Sequence, residues 1–363
     1  MSYTTQKLKD ISVIRTGKLD SNAAVENGIY PFFTCDPQTL KINTWAYDTE
    51  AVLLAGNNAS GNYTAKYYRG KFNAYQRTYI IETADSEVLS VRFLCYAINQ
   101  QLRLLKTMSS GSTTKFLTIR MLHNLDIPCP EIEVQERIVN MLGTIDDLIE
   151  NNQKQIKLLE EAAQRLYKEW FVDLRFPGYE DTPIFDGVPE GWTDGTLGEI
   201  AIFKRGKTIT KAQVQDGNIP VVAGGLEPAY YHNKSNTVAP VITVSGSGAN
   251  AGFARLYNID VFASDCSFVD CETTPYLFFI YCFLKANKSS LDSLQKGSAQ
   301  PHVYPKDLNA LKLKVPTDTF LSEFCRLVAP YFEKIKTLQR EIAISAEARN
   351  RLLPKLMSGE IEV

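Results

Sequence analysis

The chain has 363 residues, 44% of them apolar and 22% charged, with a formal net charge of −2. That apolar share suffices for two sizeable cores and excludes a disordered chain, while no apolar run approaches the ~20 residues of a membrane span. Seven cysteines without a CxxC pair, three scattered histidines and an opening MSYTTQKLKD free of any signal-like run argue against a disulfide framework, a zinc site or export, so a cytoplasmic location is expected.

From the N-terminus, short strand-like pieces broken by Gly, Asn and Pro come first, among them AVLLA (51–55) and TYII (78–81). A helix is predicted over 91–105, then a polar glycine loop, SSGSTTK (109–115), and a short strand ending at Pro130. There a long helix begins, since proline fits a helix N-terminus. In it Ile138, Leu142, Ile145, Ile149, Asn152, Ile156, Leu159, Ala163, Leu166 and Trp170 step by four and three without a slip. The periodicity predicts a helix from about Val134 to Phe171, stopped by the Phe176-Pro177-Gly178 breaker. An acidic, Pro/Gly-rich stretch at 177–191 reads as a linker.

The same order then starts again. VITVS (241–245) and SFVD (267–270) are strand-like, 275–294 is predicted as a helix, and KGSAQPH (296–302) is the matching loop before Pro316. The second long helix carries Phe324, Val328, Tyr331, Ile335, Leu338, Ile342, Ser345, Arg349, Leu352 and Leu356, each 186 residues after its counterpart in the first. Leu8, Ile11, Gly17, Lys18 and Pro31 likewise recur 189 residues on, and AGNNASGNY (55–63) recurs 190 residues on as SGSGANAGF (245–253). A heptad stripe of this length calls for a partner helix, and the chain supplies two. The expected fold class is α+β: two similar globular units separated by two long helices that form an antiparallel coiled coil, related by an internal pseudo-twofold duplication. The expected boundaries are 1–130 and 196–316 for the globular units, 131–175 for the central helix, 176–195 for the linker and 317–363 for the C-terminal helix and tail. A single buried Asn such as Asn152 fixes register in a coil at a cost in stability; the alternatives are a water-filled gap or a partner subunit.

Charge is unevenly divided. Residues 1–130 and 196–316 carry +4 and +3, whereas 131–175 and 176–195 carry −4 and −5. Positive charge in both globular units suits two separate polyanion contacts. Arg15-Thr16-Gly17-Lys18 and Lys204-Arg205-Gly206-Lys207 occupy equivalent turns, which fit phosphate contacts through side chains and backbone amides or merely solvated turns. Asn57, Asn58, Asn62 and Tyr63, with Ser247, Asn250, Phe253 and Arg255, lie in or beside the matching loops. Asn pairs bidentately with adenine, but Asn and Gly also simply make turns. Lys66, Arg69 and Arg77 alternate with tyrosines, as phosphate contacts or as an ordinary strand surface. The loops holding Ser110, Thr113 and Lys115, and Gln300 and His302, are candidates for phosphate or base-edge contact. The acidic run Glu131, Glu133, Glu136, Asp146, Asp147 and Glu150 fits either a basic partner protein or a solvated face.

QRLYKEWFVDLRFPG (164–178), VPEGW (188–192) leading into LGEI (197–200), the segment 125–150 and RLLPKLMSGEIEV (351–363) resemble the specificity subunit of type I restriction-modification systems. That resemblance implies a non-catalytic subunit with two target-recognition domains, each reading half of an asymmetric, bipartite double-stranded DNA site. It further implies two methyltransferase subunits held by the paired helices, with restriction/translocase subunits joining in the full complex. Cofactors belong to those partners, S-adenosylmethionine to the methyltransferase and ATP with Mg to the restriction subunit; none is expected in this chain. Two departures stand out: the first unit lacks a PEGW-like entry, and Ser345 and Arg349 occupy core positions of the second stripe. There is no phosphate loop, no cofactor loop of an N6-adenine methyltransferase and no nuclease or hydrolase constellation. The competing readings are a coiled-coil scaffold that never touches DNA and a divergent single-chain nuclease.

Overall fold

The computed structural model describes residues 3–58, 61–109, 115–295 and 301–363. It divides into two compact units, one made of Met1–Glu150 with Ile342–Val363 and the other of Asn151–Glu341. Each long helix is therefore shared, and each unit takes one end of both.

In the first unit the described residues form a six-stranded sheet in the order Ser12–Thr16, Thr78–Thr83, Tyr47–Ala55, Ala65–Ala74, Tyr30–Phe33, Leu40–Ile42. All neighbours run antiparallel except Tyr30–Phe33, which lies parallel to the end of Ala65–Ala74. Side chains of a strand alternate between faces, and Tyr47–Ala55 is buried on both over its second half, 51–55. Val52 and Leu54 face a core shared with Phe93, Leu94 and Ile98 of the helix Val91–Met108, whereas Ala51 and Leu53 join Phe33, Phe72 and Ile80 on the opposite side.

The second unit repeats this order with one interruption. Lys204–Arg205, Cys266–Asp270, Val241–Ser245 and Ala254–Tyr257 form a four-stranded sheet, and Tyr230–His232, Ile219–Val222 and Phe262–Ala263 a separate three-stranded one. The single strand Ala65–Ala74 corresponds here to two pieces, split at Asn258-Ile259-Asp260. There Asp260 accepts from the Ala239 amide at 2.9 Å and Asn258 donates to Gln339 at 3.0 Å, so both side chains draw the backbone out of the ladder. In both units the strand that leads into the globular part closes on the last, Thr5–Lys7 on Asp126–Pro128 and Thr193–Thr196 on Lys312–Val315.

The helix predicted over 275–294 is two helices, Leu277–Ala286 and Lys288–Ser293. They break at Asn287, whose amide group turns back to the Phe283 carbonyl at 2.9 Å. The long helices span Ile132–Tyr167 and Asp318–Ser358. The first closes with a π turn, Lys168–Val172, ending four residues before Phe176 because Leu174 takes a left-handed φ of 57°. The stretch 177–191 is not a featureless linker either. Ile184–Phe185 and Val188–Pro189 pair as a hairpin around Asp186-Gly187, whose φ values of 49° and 78° make the tight turn that an Asp-Gly pair favours.

The two long helices pair antiparallel within each unit. In the first, Ile138 and Leu142 share a core with Leu356 and Met357, and Asp146 meets Arg349. In the second, Asn152 is 2% exposed and donates to Glu341 at 3.0 Å, and Tyr167 and Trp170 pack on Phe324. Asn152 thus bonds across the pair, the contact by which a buried polar residue in a coil can set register. Ile145, Ile149, Ile156, Leu159, Leu166, Tyr331, Ile342 and Leu352 line the seam half-buried, while Ile335 and Leu338 are buried. Phe332 and Gln135, outside the predicted stripes, are buried as well. Gln135 accepts from the Ser90 amide and donates to the Val88 and Pro130 carbonyls, tying the helix start to the globular part.

All seven thiols are free. Burial pushes Cys95 and Cys266 up to about 12 and Cys325 up to about 11, so their thiolates are scarce near neutrality. At pH 8 a maleimide is expected to label exposed Cys271 first and half-buried Cys35 more slowly. The remaining five should react only on unfolding. Rapid native labelling of those five, followed by intact mass, would contradict this packing.

Candidate nucleic-acid interface

The Arg-Thr-Gly-Lys and Lys-Arg-Gly-Lys turns are held against a neighbouring strand in the same way. A Cβ on Gly17 would lie 2.1 Å from the Ala74 carbonyl oxygen, and one on Gly206 would lie 2.6 Å from that of Ala263, the residue equivalent to Ala74. Only glycine tolerates such an approach. The Gly17 amide donates to Thr78 at 3.1 Å, and those of Gly206 and Lys207 donate to Cys266 at 2.8 Å and Ala263 at 2.9 Å. These three amides are consumed inside the fold and so are not the phosphate donors that the sequence offered. The exposed side chains of Lys18, Lys204 and Lys207 are what the turns present.

The structure brings the two loop families of each unit together. The Gly56 carbonyl accepts from Leu117 at 2.8 Å, and its counterpart Gly246 accepts from Val303 at 3.1 Å. The next residue then pairs with the returning loop: Asn57 with Phe116 and Asn58 with Lys115 in the first unit, Ser247 with His302 in the second. The sequence treated these loops as separate candidates; strand pairing makes each pair one patch. Ser110, Thr113 and Gln300 lie outside the described residues.

The patches differ in chemistry. In the first, Lys106 reaches Asn62 at 2.6 Å, Asn58 accepts from the Asn62 amide at 3.1 Å, and Phe116 is exposed. In the second, Arg205 and Ser247 both contact Asp265, His302 stacks with Tyr304, and Phe253 is exposed. Asn250 lies 3.5 Å from the Gly224 carbonyl and Arg255 donates to that of Leu226 at 2.7 Å while covering the Tyr257 ring. Arg205 and Arg255 are therefore positioned by local partners, and Asp265 offsets the charge of Arg205.

Other candidates sit further into the fold. Tyr63 is 5% exposed and belongs to the core of the first unit, which corrects its reading as a base contact; its counterpart Phe253 is the one that faces out. Arg15 is paired with Glu82 at 2.7 Å and lies over Tyr47, and Lys66 reaches Thr39 at 3.1 Å and the Asp36 carbonyl at 3.4 Å. Desolvation lowers the Lys66 pKa, partly opposed by Asp36. Arg77 is exposed beside Gly56, which donates to its carbonyl at 2.8 Å. Among the described residues there is no group of three or more His, Cys, Asp or Glu able to hold a metal ion, and no helix long and apolar enough to cross a membrane.

Known proteins share this plan. The specificity subunit of the type I restriction enzyme EcoDI from Escherichia coli is 34% identical over 165 residues, 46% of this chain and 36% of that subunit. The MjaIX specificity subunit from Methanocaldococcus jannaschii is 29% identical over 292 residues, 71% of this chain and 66% of that one. The chain therefore spans about a third of the first relative and just under two thirds of the second. The crystal structure of the type I restriction-modification S subunit from M. genitalium covers 98% of this chain and 96% of its own, with a TM-score of 0.60 at 19% identity, and so has the same fold. The model of the family described as type I restriction modification DNA specificity domain matches residues 2–161 and 189–319. With a match in each half, this chain belongs to the type I restriction-modification DNA specificity family.

Proposed function

We propose that the chain is the non-catalytic, DNA-reading subunit of a type I restriction-modification complex. On this reading 1–130 and 196–316 are target-recognition domains, each taking one half of an asymmetric bipartite site. The helices of 131–175 and 317–363 hold two methyltransferase subunits, and restriction subunits join them. S-adenosylmethionine, ATP and Mg are then the partners' cofactors. The observation that carries it is the contrast between what the duplication varies and what it repeats. The patch framework, Gly56-Asn57 against Phe116 and Gly246-Ser247 against His302, is built twice on one backbone plan with different side chains, as two different half-sites require.

The outward faces of the long helices do the opposite. Leu158, Glu161 and Arg165 lie on one face at helical spacing, and the residues 186 positions on are Ile344, Glu347 and Arg351. Leu158 is 63% and Ile344 57% exposed, and each Glu lies within ion-pair distance of its Arg. Met141 and Leu327, also 186 apart, are a second exposed apolar pair. A repeated apolar and charged stripe fits two copies of one partner. Leu158→Asp and Ile344→Asp are each expected to remove one methyltransferase subunit and the double variant both, read as stepwise mass loss by native mass spectrometry. An unchanged two-to-one assembly in the double variant contradicts the placement. The complex is also expected to bind DNA with an affinity that falls steeply with salt, by about 10³-fold or more from 50 to 200 mM; a protein scaffold predicts no such binding.

A further inference from the structure

In both units a tyrosine of the globular part bonds a carboxylate of the central helix, but the second junction is also packed by stacked rings while in the first the carboxylate itself is bonded to the other long helix. In the first unit one carboxylate joins three helices. Asp146 of the central helix accepts from the Tyr96 hydroxyl, on Val91–Met108, at 2.6 Å and from Arg349, on the C-terminal helix, at 2.8 Å. Arg92 approaches Asp147 at 3.9 Å and lies over the Tyr67 ring, whose hydroxyl donates to Glu50 at 2.7 Å. Tyr67, Arg92, Tyr96, Asp146, Asp147 and Arg349 border an open cleft of about 490 Å³. The residues 186 positions away from this trio are all apolar and buried: Cys282 for Tyr96, Phe332 for Asp146 and Ala163 for Arg349. In the second unit that junction is built around a ring stack, Phe278 on Phe332 at 4.4 Å and 6°, with Tyr281 edge-on and its hydroxyl donating to Glu160 of the central helix at 3.3 Å. Arg349, out of place in an apolar stripe, is thus the partner of Asp146.

We propose that Asp146 is a positioning residue, held by Tyr96 and Arg349, that fixes the seat of the first recognition domain and thereby the DNA spacer the complex accepts. The proposal rests on the DNA-reading function above. The physical reason is geometric. Each added base pair moves a half-site by about 3.4 Å and turns it by about a tenth of a helical turn. A domain reading that half-site follows only if its joint yields. A packed ring stack resists in all directions, whereas a cleft bridged by one carboxylate resists only while its directional bonds hold.

The test uses the assembled complex with its methyltransferase and DNA carrying the wild-type half-sites at the preferred spacer and at one base pair more or less. Asp146→Asn removes the charge and Tyr96→Phe only the hydroxyl, keeping the buried ring. Both are expected to leave the half-sites unchanged and to raise methylation at the neighbouring spacers, relative to the preferred one, by about tenfold, the size of one lost hydrogen bond to a charged group. Arg349→Lys, which keeps the charge, should fall between these and wild type. Spacer selectivity equal to wild type in both variants overturns the proposal, as does a uniform loss at every spacer that tracks a lowered melting temperature. A wild-type complex that methylates no bipartite site at any spacing instead overturns the DNA-reading function itself.

Discussion

Inserting one heptad into each long helix, at the level where Asn152 faces Glu341, is expected to lengthen the preferred DNA spacer by about three base pairs. The helix rises ~1.5 Å per residue and B-DNA ~3.4 Å per base pair, so seven residues add about 10 Å. A heptad is the unit that returns the seam to its own face, so Ile138 and Leu142 keep their packing on Leu356 and Met357. An insertion in only one helix shifts every contact beyond it, and the Asn152–Glu341 and Asp146–Arg349 bonds cannot then form together. That single insertion is expected to abolish methylation. Methylation of the original motif with its original spacer by the double insertion would show that helix length does not set the distance between half-sites.

The largest single-residue effect on stability is expected at Phe324. It is fully buried at the start of the C-terminal helix and touches rings from three other places: Tyr167 at the end of the central helix, Trp170 and, at 5.1 Å, Phe171 in the π turn, and Phe279 of the globular part. Phe324→Ala removes the ring's transfer free energy, leaves a cavity and breaks several aromatic pairs, a cost of about 3–5 kcal/mol. Because the chain has two compact units, the loss should appear as a downward shift of one of two urea transitions, by roughly 1–3 M. Phe324→Leu, which refills much of the volume, should recover over half of the shift. A change under about 1 kcal/mol in the alanine variant would contradict the role of this cluster.

The long helices were legible because their burial is one-dimensional: one seam, repeated every three and four residues, with its copy 186 positions on. Even so, periodicity missed Phe332 and Gln135, which are buried by the globular parts and not by the opposite helix. The sheets were legible only as fragments. Pairing between Ala65–Ala74 and its neighbours depends on residues far apart in sequence, and nothing local announced that Asn258 and Asp260 would break the equivalent strand. Asp186-Gly187 did carry a hairpin signal, obscured by the acidic composition around it. In the recognition patches the residue types were visible and their orientation was not. Tyr63 and Phe253 are equivalent in sequence, yet one is core and the other surface. The Gly17 and Gly206 amides looked available until the strands beside them claimed them. Arg349 looked like a flaw in the stripe because its partner, Asp146, lies on the other helix.

The most direct test is methylome sequencing of cells expressing this chain with its methyltransferase, against cells that lack only this chain. The expected result is a new bipartite motif with N6-methyladenine in both halves, two different half-sites and one fixed spacer, present only when the chain is. An unaltered methylome from cells in which the assembled complex is demonstrated by mass would contradict it and leave a scaffold that does not read DNA.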